Sequence, residues 1–224
     1  MELGYWDIKG QAQPIRWLIK YIGLNIKEYN PKNREEWNKK KEEIRLEFPF
    51  PKLPYFYDSI KKEYVTEAKA VFAKIAYLAN KPEMTGKCER DKIQVEMVYG
   101  IISEVKAFYL EKFNQTSIQV SDMFEDDCNA FLMAKLHGLS RYLGDKDYFM
   151  VYLTILDFEA AYLYDLFEIL CEKCELNHPW SAFPNLMDHK DRVKNLVGVK
   201  QFIEDEKEEN MDFFKEGQVL WFTD

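Results

Sequence analysis

Tyr5 lies near the start of the chain, at a position where its hydroxyl could take part in chemistry. It belongs to the short apolar stretch LGYWDIKG, residues 3–10, which ends in Gly10 and is soon followed by Pro14. Such a stretch is typical of a strand that stops where a helix is about to begin. A tyrosine there is most often a core residue whose hydroxyl reaches water, but it could also be a catalytic group directed into a cleft. The residues by themselves leave both interpretations open.

Cysteine and histidine are the other side chains that could bind a metal or react. Only Cys171 and Cys174 have a suggestive spacing, C-x-x-C, but a structural zinc site needs four ligands and no second pair completes this one. We therefore predict no metal site. We interpret the two cysteines as reduced thiols near a helix end, with a redox role as the alternative. The histidines show no spacing of metal ligands, and we expect surface or capping positions for His137, His178 and His189.

The elements that would position Tyr5 form a strand–helix–strand unit. Pro14 suits the first turn of a helix and Gly23 suits its end, and the apolar residues between them recur at offsets of three, four and seven. The stretch LNIKEY, residues 24–29, alternates in polarity and predicts a second strand. A unit of this length implies parallel strands joined by a right-handed crossover.

The rest of the first 80 residues predicts a second strand pair and a helix. The charged segment 30–52 is expected to form a loop and an irregular helix around Trp37. LPYFYDS is interpreted as a strand, although Pro54 argues against an ordinary central strand, and KKEYVT would complete a hairpin with it. The following segment predicts a helix whose inner face carries Val71, Ile75 and Leu78.

Everything beyond a linker at residues 81–87 predicts helices, so that residues 88–224 would form an all-helical domain. The apolar stripes are Ile93, Met97, Ile101, Val105 and Phe108; Cys128, Phe131, Leu132, Leu136 and Leu139; and Phe158, Ala161, Tyr162, Leu166, Ile169 and Leu170. A last helix is expected after FPNL, carrying Val193, Leu196 and Val197. The stretch TILD predicts a helix start in which Thr154 caps the first amides and Asp157 reaches back.

Composition excludes several classes of protein. The formal net charge of −8 argues against a nucleic-acid binder, which needs a dominant basic face. No apolar run approaches the roughly 20 residues that span a bilayer, so no membrane association is predicted. The first ten residues lack the features of a signal peptide, and a cytoplasmic location is expected.

Five segments, taken in order, resemble the cytosolic glutathione transferases, closest to the mu class with some sigma-class character. They are LGYWDIKG at 3–10, FPKLPYF at 50–56, TEAKAVFAKIAYLAN at 66–80, LTILDF at 153–158 and AFPNL at 182–186. The resemblance covers nearly the whole chain. It implies an α/β thioredoxin-like domain over residues 1–80, followed by the all-α domain.

The resemblance also implies a role for Tyr5. In that family a tyrosine at the end of the first strand donates a hydrogen bond to the sulfur of glutathione, which favours the thiolate. The thiolate then attacks a small apolar electrophile, so glutathione is a co-substrate and no cofactor is implied. Residues 8–11 contain no thiol, which argues against the dithiol exchange of thioredoxins.

The implied glutathione site includes residues of the charged segment. Trp6 would line it, and Arg34, Trp37 and Lys41 would hold the glycyl end, because a cation suits a carboxylate. The alternative for Arg34 and Lys41 is an ordinary solvated charge run.

The other implied contacts come from three further places. Leu53 and Pro54, joined by a cis bond, would grip the peptide backbone of the ligand as if it were an added strand. Glu67 would meet the γ-glutamyl amino group, but Ala68 stands where the family has a serine that binds the γ-carboxylate together with a helix N-terminus. The missing hydroxyl costs roughly ten- to a hundredfold in affinity. Glu104 would reach the glutathione of a partner subunit, or is simply a surface residue.

Three functions remain open at this stage. The first is a dimeric glutathione transferase, with Phe48 or Phe50 inserted into the partner subunit. The second, supported by Ala68, is a non-catalytic binding or scaffold subunit of a larger assembly. The third is a glutathione-dependent isomerase or peroxidase acting on lipid-like substrates.

Overall fold

The computed structural model describes residues 1–113, 129–173 and 179–205, and the chain divides into two compact units. Of the described residues, one unit contains 1–82 together with 197–205, and the other contains those between 83 and 196. The first unit holds the sheet, as the sequence predicts, and the second is built from helices.

Four strands and three helices make up the first 80 residues. In chain order they are β1 (Glu2–Gly4), α1 (Gln13–Ile22), β2 (Lys27–Tyr29), α2 (Arg34–Arg45), β3 (Tyr55–Asp58), β4 (Glu63–Thr66) and α3 (Ala68–Leu78). The strand order in the sheet is β2-β1-β3-β4. β1 pairs parallel with β2 and antiparallel with β3, which pairs antiparallel with β4. The predicted thioredoxin-like arrangement is therefore confirmed.

β1 is shorter than the apolar stretch that predicts it. It ends at Gly4, so Tyr5 is the first residue after the strand, although its N–H still donates to the carbonyl of Tyr29 at 3.1 Å. α1 agrees with its predicted start and stop. Gly23 ends the helix in the left-handed conformation, at φ 70°, a value that glycine adopts without a steric penalty.

α2 is more regular than the sequence analysis expects. Its charged sequence forms a continuous helix of 12 residues, which begins where the Asn33 side chain accepts a hydrogen bond from the N–H of Glu36 at 2.9 Å. Trp37 and Ile44 are its buried residues. The cap and these two anchors explain why a polar segment is helical.

The Leu53–Pro54 peptide bond is cis. β3 begins only at Tyr55 and lies in the interior of the sheet, so the expectation that Pro54 argues against a central strand is wrong. Because the proline precedes the paired residues, it removes no hydrogen bond from the ladder.

The second unit contains α4 (Glu89–Phe113), α5 (Asn129–Leu143), α6 (Ile155–Lys173) and α7 (Pro184–Lys194). The stripe predicted for α4 is partly wrong, because Ile93 and Met97 are 61% and 51% exposed. The buried face is instead Val95, Val98, Ile102 and Val105. Both sets have helical spacing, so the periodicity alone did not decide between them. Cys128, in the next stripe, lies outside the described residues.

The buried faces of α5 and α6 agree with the predicted apolar stripes. Leu132, Leu136 and Leu139 of α5 and Phe158, Ala161, Tyr162 and Leu166 of α6 are buried as predicted. Asp157 also reaches back as predicted, and its carboxylate accepts hydrogen bonds from the N–H and the hydroxyl of Thr154 at 2.7 and 3.0 Å.

His189 corrects the expectation that the histidines occupy surface or capping positions. Its side chain is fully buried, and its Nε2 donates to Oδ1 of Asp157 at 2.9 Å. His137 is exposed as expected, and His178 lies outside the described residues.

The end of the described chain differs from the predicted domain of residues 88–224. α7 ends before Leu196, and Val197 is 89% exposed rather than packed on the last helix. A short helix, α8 (Val199–Glu204), belongs to the first unit, where Lys20 of α1 lies over the ring of Phe202 at 5.0 Å. Within the described ranges, no helix is long and apolar enough to cross a membrane.

Candidate active site

Tyr5 lies at the centre of the candidate site. It follows β1 directly, and Asn30 fixes its backbone by donating to the Tyr5 carbonyl at 3.1 Å. The side chain is 1% exposed, and its hydroxyl oxygen accepts a hydrogen bond from the backbone N–H of Gln11 at 2.9 Å. Among the residues that the structure describes, no acceptor is found for the proton of this hydroxyl. The O–H group is thus oriented by the protein and free to donate.

A tight turn at Gly10 makes this contact possible. Gly10 has φ 40° and begins a single 3₁₀ turn, Gly10–Ala12, that precedes α1. A Cβ atom at residue 10 would lie 2.6 Å from the Tyr5 hydroxyl oxygen. Glycine is therefore needed here both for its backbone conformation and for the close approach to the phenol.

Burial dominates the ionisation of Tyr5. It raises the pKa of the hydroxyl above its usual value, while the hydrogen bond from Gln11 and the charge of Arg16 act in the opposite direction with smaller effect. The neutral form is favoured, because a buried phenolate would lose its hydration. Tyr5 is suited to donating a hydrogen bond to an anion rather than to acting as a base.

The predicted ligand residues Trp6, Trp37 and Leu53 pack in the same cluster as Tyr5. The rings of Trp6 and Trp37 meet edge to face at a centroid distance of 6.5 Å, and Trp37 stacks on Tyr55 at 6.2 Å. Both tryptophans are at most 5% exposed, so the structure places them in the core beside the tyrosine. Leu53 is partly buried against this cluster, next to Pro54.

The predicted cationic residues lie along one side of α2. Arg34, Trp37 and Lys41 are spaced by three and seven residues, which puts them on the same face of the helix. Arg34 is exposed and Lys41 is half-buried. Trp37 anchors this face to the core, so the two cations are held beside the aromatic cluster.

The start of α3 carries the remaining predicted contacts in the first unit. Glu67 precedes the helix at φ 68°, a conformation uncommon for a residue with a side chain, and it makes no side-chain cap. Its carboxylate instead pairs with Nζ of Lys52 at 2.9 Å. Ala68 is the first residue of α3 and is half-buried. The first amides of α3 receive no bond from the Glu67 side chain, and the first turn contains no acidic residue.

Glu104 lies in the second unit, on α4. It is exposed and pairs with Nζ of Lys135 of α5 at 2.7 Å. Phe108, the last residue of the apolar stripe predicted for α4, is half-buried, and its ring centroid lies 4.6 Å from that of Phe131. The described parts of the chain contain no group of three or more histidine, cysteine or acidic residues able to hold a metal ion.

Sequence reasoning missed Arg16 of α1. Its side chain is only 1% exposed, and it bonds three backbone carbonyls and two side chains around Tyr5. The available signal was a charged residue within the otherwise apolar run IRWLI.

A thioredoxin-like sheet, a buried tyrosine at the end of its first strand and a helical second unit define the glutathione transferase class of proteins. The family described as "Glutathione S-transferase, N-terminal domain" matches residues 1–80. The chain is 30% identical over 214 residues to Glutathione S-transferase Mu 4 of Rattus norvegicus, across 91% of this chain and 90% of the relative. The chain therefore belongs to the glutathione S-transferase family, and the mu-class resemblance is confirmed.

Other relatives give the same assignment. A class-mu 26 kDa isozyme of glutathione S-transferase from Fasciola hepatica is 28% identical, across 92% of this chain and 89% of the relative. The structure of a Pi-class glutathione S-transferase of Onchocerca volvulus superposes with a TM-score of 0.78, covering 96% of this chain and 98% of that one. At 18% identity the latter shows the shared fold. The relatives are transferases by name, which agrees with the expectation of an enzyme.

Proposed function

We propose that this chain is a glutathione transferase in which the Tyr5 hydroxyl donates a hydrogen bond to the sulfur of glutathione. The observation that carries the proposal is the state of that hydroxyl. Its oxygen accepts the Gln11 N–H at 2.9 Å, and its proton has no acceptor among the described residues. A sulfur placed at the outer side of the hydroxyl would complete its hydrogen bonding.

The proposed reaction joins the glutathione sulfur to an electrophilic carbon. The thiol loses its proton to solvent, and the thiolate is stabilised by the Tyr5 O–H. The sulfur then forms a bond to the carbon of a small apolar substrate, and the leaving group departs with the electron pair of the bond that breaks. With an aryl chloride, chloride is released. Tyr5 keeps its proton throughout, since burial raises the pKa of its hydroxyl.

The remaining residues of the first unit would hold glutathione as a co-substrate, with no cofactor. Arg34 and Lys41 on one face of α2 supply positive charge for the glycyl carboxylate. The backbone next to Pro54 pairs with the peptide, and Glu67 meets the γ-glutamyl amino group after releasing Lys52. With Ala68 in place of a hydroxyl residue, the N-terminal amides of α3 bind the γ-glutamyl carboxylate.

A homodimer is the proposed assembly. Phe50, in the segment before Pro54, is 71% exposed. Phe48 is half-buried, and its ring centroid lies 6.5 Å from that of Tyr64. Phe50 is thus the aromatic residue proposed to enter the partner subunit, and Glu104 would act across the same interface. A cytoplasmic location stays a prediction.

Ala68 supports a second candidate, a glutathione-transferase-like subunit that binds partners in a larger assembly without catalysis. This residue offers no hydroxyl at the start of α3, so glutathione would bind more weakly by roughly ten- to a hundredfold. The two candidates differ in whether the native chain binds glutathione at working concentrations.

Calorimetric titration of glutathione into the native protein and into Ala68→Ser separates these functions. Binding by the native chain, together with conjugation of chlorodinitrobenzene that Tyr5→Phe loses, supports the transferase. Binding by Ala68→Ser alone supports the non-catalytic subunit. Absence of binding by both proteins contradicts the transferase proposal.

A further inference from the structure

Arg16 is a buried cation, and three of its partners lie in the segment that follows Tyr5. It sits in the first turns of α1, and its side chain is 1% exposed. Its Nε donates to Oε2 of Glu28, on β2, at 2.9 Å. An arginine this deeply buried is tolerated only when its N–H groups find acceptors and its charge is paired.

The other side of the guanidinium binds the backbone between Tyr5 and the Gly10 turn. Nη1 donates to the carbonyl oxygens of Ile8 at 2.9 Å and Lys9 at 3.3 Å, and Nη2 donates to that of Trp6 at 3.4 Å. Nη1 also reaches Oε1 of the buried Gln13 at 3.3 Å. A single planar group therefore binds the carbonyl oxygens of three of the four residues from Trp6 to Lys9.

The position of residues 6–9 determines where the Gln11 N–H lies relative to Tyr5. These residues are followed directly by the turn at Gly10, where a Cβ atom would lie 2.6 Å from the Tyr5 hydroxyl oxygen. The tolerance for movement is small, because the Gln11 N–H must remain 2.9 Å from the same oxygen. A shift of about 1 Å in a positioned group is enough to weaken a catalytic contact severely.

We propose that Arg16 is a positioning residue for the Tyr5 hydroxyl. The guanidinium binds the carbonyl oxygens of residues 6–9 and so fixes this segment. The fixed segment keeps the Gln11 N–H hydrogen-bonded to the Tyr5 hydroxyl oxygen. The O–H of Tyr5 is then directed toward the sulfur of the ligand. The positive charge of Arg16 lies in the same buried region and favours a thiolate over a neutral thiol. The inference rests on the proposed function, since it is the glutathione thiolate that benefits.

The test compares variants by the pKa of the bound glutathione thiol. It is measured from the ultraviolet absorbance of the thiolate and from the pH profile of kcat/KM with chlorodinitrobenzene. Arg16→Lys keeps the charge but loses the planar fork, so we expect the thiol pKa to rise by about one unit and kcat/KM at neutral pH to fall roughly tenfold. Binding of S-methylglutathione, which has no thiol, should be unchanged.

Glu28→Gln is the matched control. It changes the other partner of the same arginine, and a glutamine oxygen can still accept from Nε, so the contacts to segment 6–9 stay intact. We expect this variant to lower the thermal midpoint without raising the thiol pKa. If Arg16→Lys also changes only the thermal midpoint, Arg16 has a structural role and the inference is overturned.

Two further results keep the test decisive. If Arg16→Lys does not fold, Gln13→Met can be used in its place. It removes one acceptor of the guanidinium and should also raise the thiol pKa, and the absence of a rise overturns the inference.

Tyr5→Phe separates the inference from the proposed function. If Tyr5→Phe leaves the thiol pKa unchanged, the proposed function fails whatever Arg16 does. If only Tyr5→Phe raises it, the function stands and the role of Arg16 is rejected.

Discussion

The backbone N–H of Gln11 donates to the hydroxyl oxygen of Tyr5 at 2.9 Å, and the two residues lie on opposite sides of a turn that only glycine can make. An oxygen that already accepts a hydrogen bond from the backbone has its O–H direction restricted. The tyrosine is thereby prepared as a donor before any ligand arrives, which avoids reorganisation when negative charge develops.

The first prediction concerns the pH dependence of Tyr5. Burial raises the pKa of its hydroxyl, so the donor stays protonated and the conjugation rate should rise with pH through the thiol ionisation and then level off. In Tyr5→Phe the midpoint should move up toward the free-thiol pKa of about 8.5. The measurement is kcat/KM against pH with chlorodinitrobenzene.

The control for this prediction is Tyr164→Phe, which removes another fully buried phenol and should leave the profile unchanged. A fall in rate on the alkaline side that Tyr5→Phe abolishes would show that the phenol ionises and would contradict the prediction.

The second prediction concerns Gly10. Gly10→Ala introduces a Cβ atom 2.6 Å from the Tyr5 hydroxyl oxygen at a residue with φ 40°, so the turn and the phenol must move apart. We expect conjugation to fall by roughly a hundredfold, as for the loss of one positioned donor. Gly138→Ala is the control, because a Cβ atom there meets nothing within 4 Å inside α5. It should keep full activity and gain about 0.5–1 kcal/mol of stability in urea unfolding. Equal activity of the two variants would sink this prediction.

The third prediction concerns Val151, a β-branched residue at φ 68° whose side chain is 72% exposed. The left-handed conformation strains valine, while the exposed side chain contributes little packing. Val151→Gly should therefore raise the free energy of unfolding by about 1 kcal/mol, after allowing for the entropy of glycine in the unfolded chain. Val197→Gly is the control. Val197 is also exposed but has an ordinary φ, so this change should lower stability by up to about 1 kcal/mol. Denaturant titration of both variants decides the matter; a loss in Val151→Gly rules out the strain.

The fourth prediction concerns the Asp157–His189 pair in the second unit. Both side chains are fully buried, and the carboxylate also accepts from Thr154 and from the N–H of Phe149 at 3.0 Å. Asp157→Ala should cost about 3–5 kcal/mol of unfolding free energy, because buried donors lose their acceptor. The exposed Asp188→Ala should stay within about 0.5 kcal/mol of the native protein. In a double-mutant cycle with His189→Ala the losses should be less than additive. Full additivity would show that the two side chains do not interact.

The fifth prediction concerns the proposed dimer. Phe50→Ser removes an aromatic ring that is 71% exposed, so it should leave folding intact and shift sedimentation from dimer toward monomer. Ile60→Ser is the control, because Ile60 is 82% exposed in the turn between β3 and β4. A monomeric native protein, or dimers of equal strength in both variants, would contradict the proposed role of Phe50.

Local signals in the sequence were sufficient for much of the first unit. Pro14 and Gly23 marked the ends of α1 because each residue has a restricted or permissive backbone that acts locally. The strand–helix–strand order implied the parallel pairing of β1 and β2, since a crossover of that length leaves few alternatives. The strand end and the glycine turn placed Tyr5 where a hydroxyl could act, and the resemblance to the glutathione transferases supplied its role.

Other features depended on packing between distant segments. The periodicity of α4 fitted two faces, and only the packed second unit buries Val95 and Val98 while leaving Met97 exposed. His189 looked like a surface residue because its partner, Asp157, is 32 residues away in the chain. The Lys52–Glu67 pair similarly joins two loops whose proximity the sequence does not state.

The sequence by itself determined the order of the elements, because this order follows from residue types and short spacings. The resemblance of five segments to a known family added the tyrosine on which the proposed chemistry depends. The tertiary structure alone decided how that tyrosine is held. It brought Gln11 onto the Tyr5 oxygen and placed the Arg16 guanidinium across the carbonyl oxygens of Trp6, Ile8 and Lys9. Hydrogen bonds of this kind depend on the direction of each backbone group, and that direction is fixed only when the chain is folded and packed.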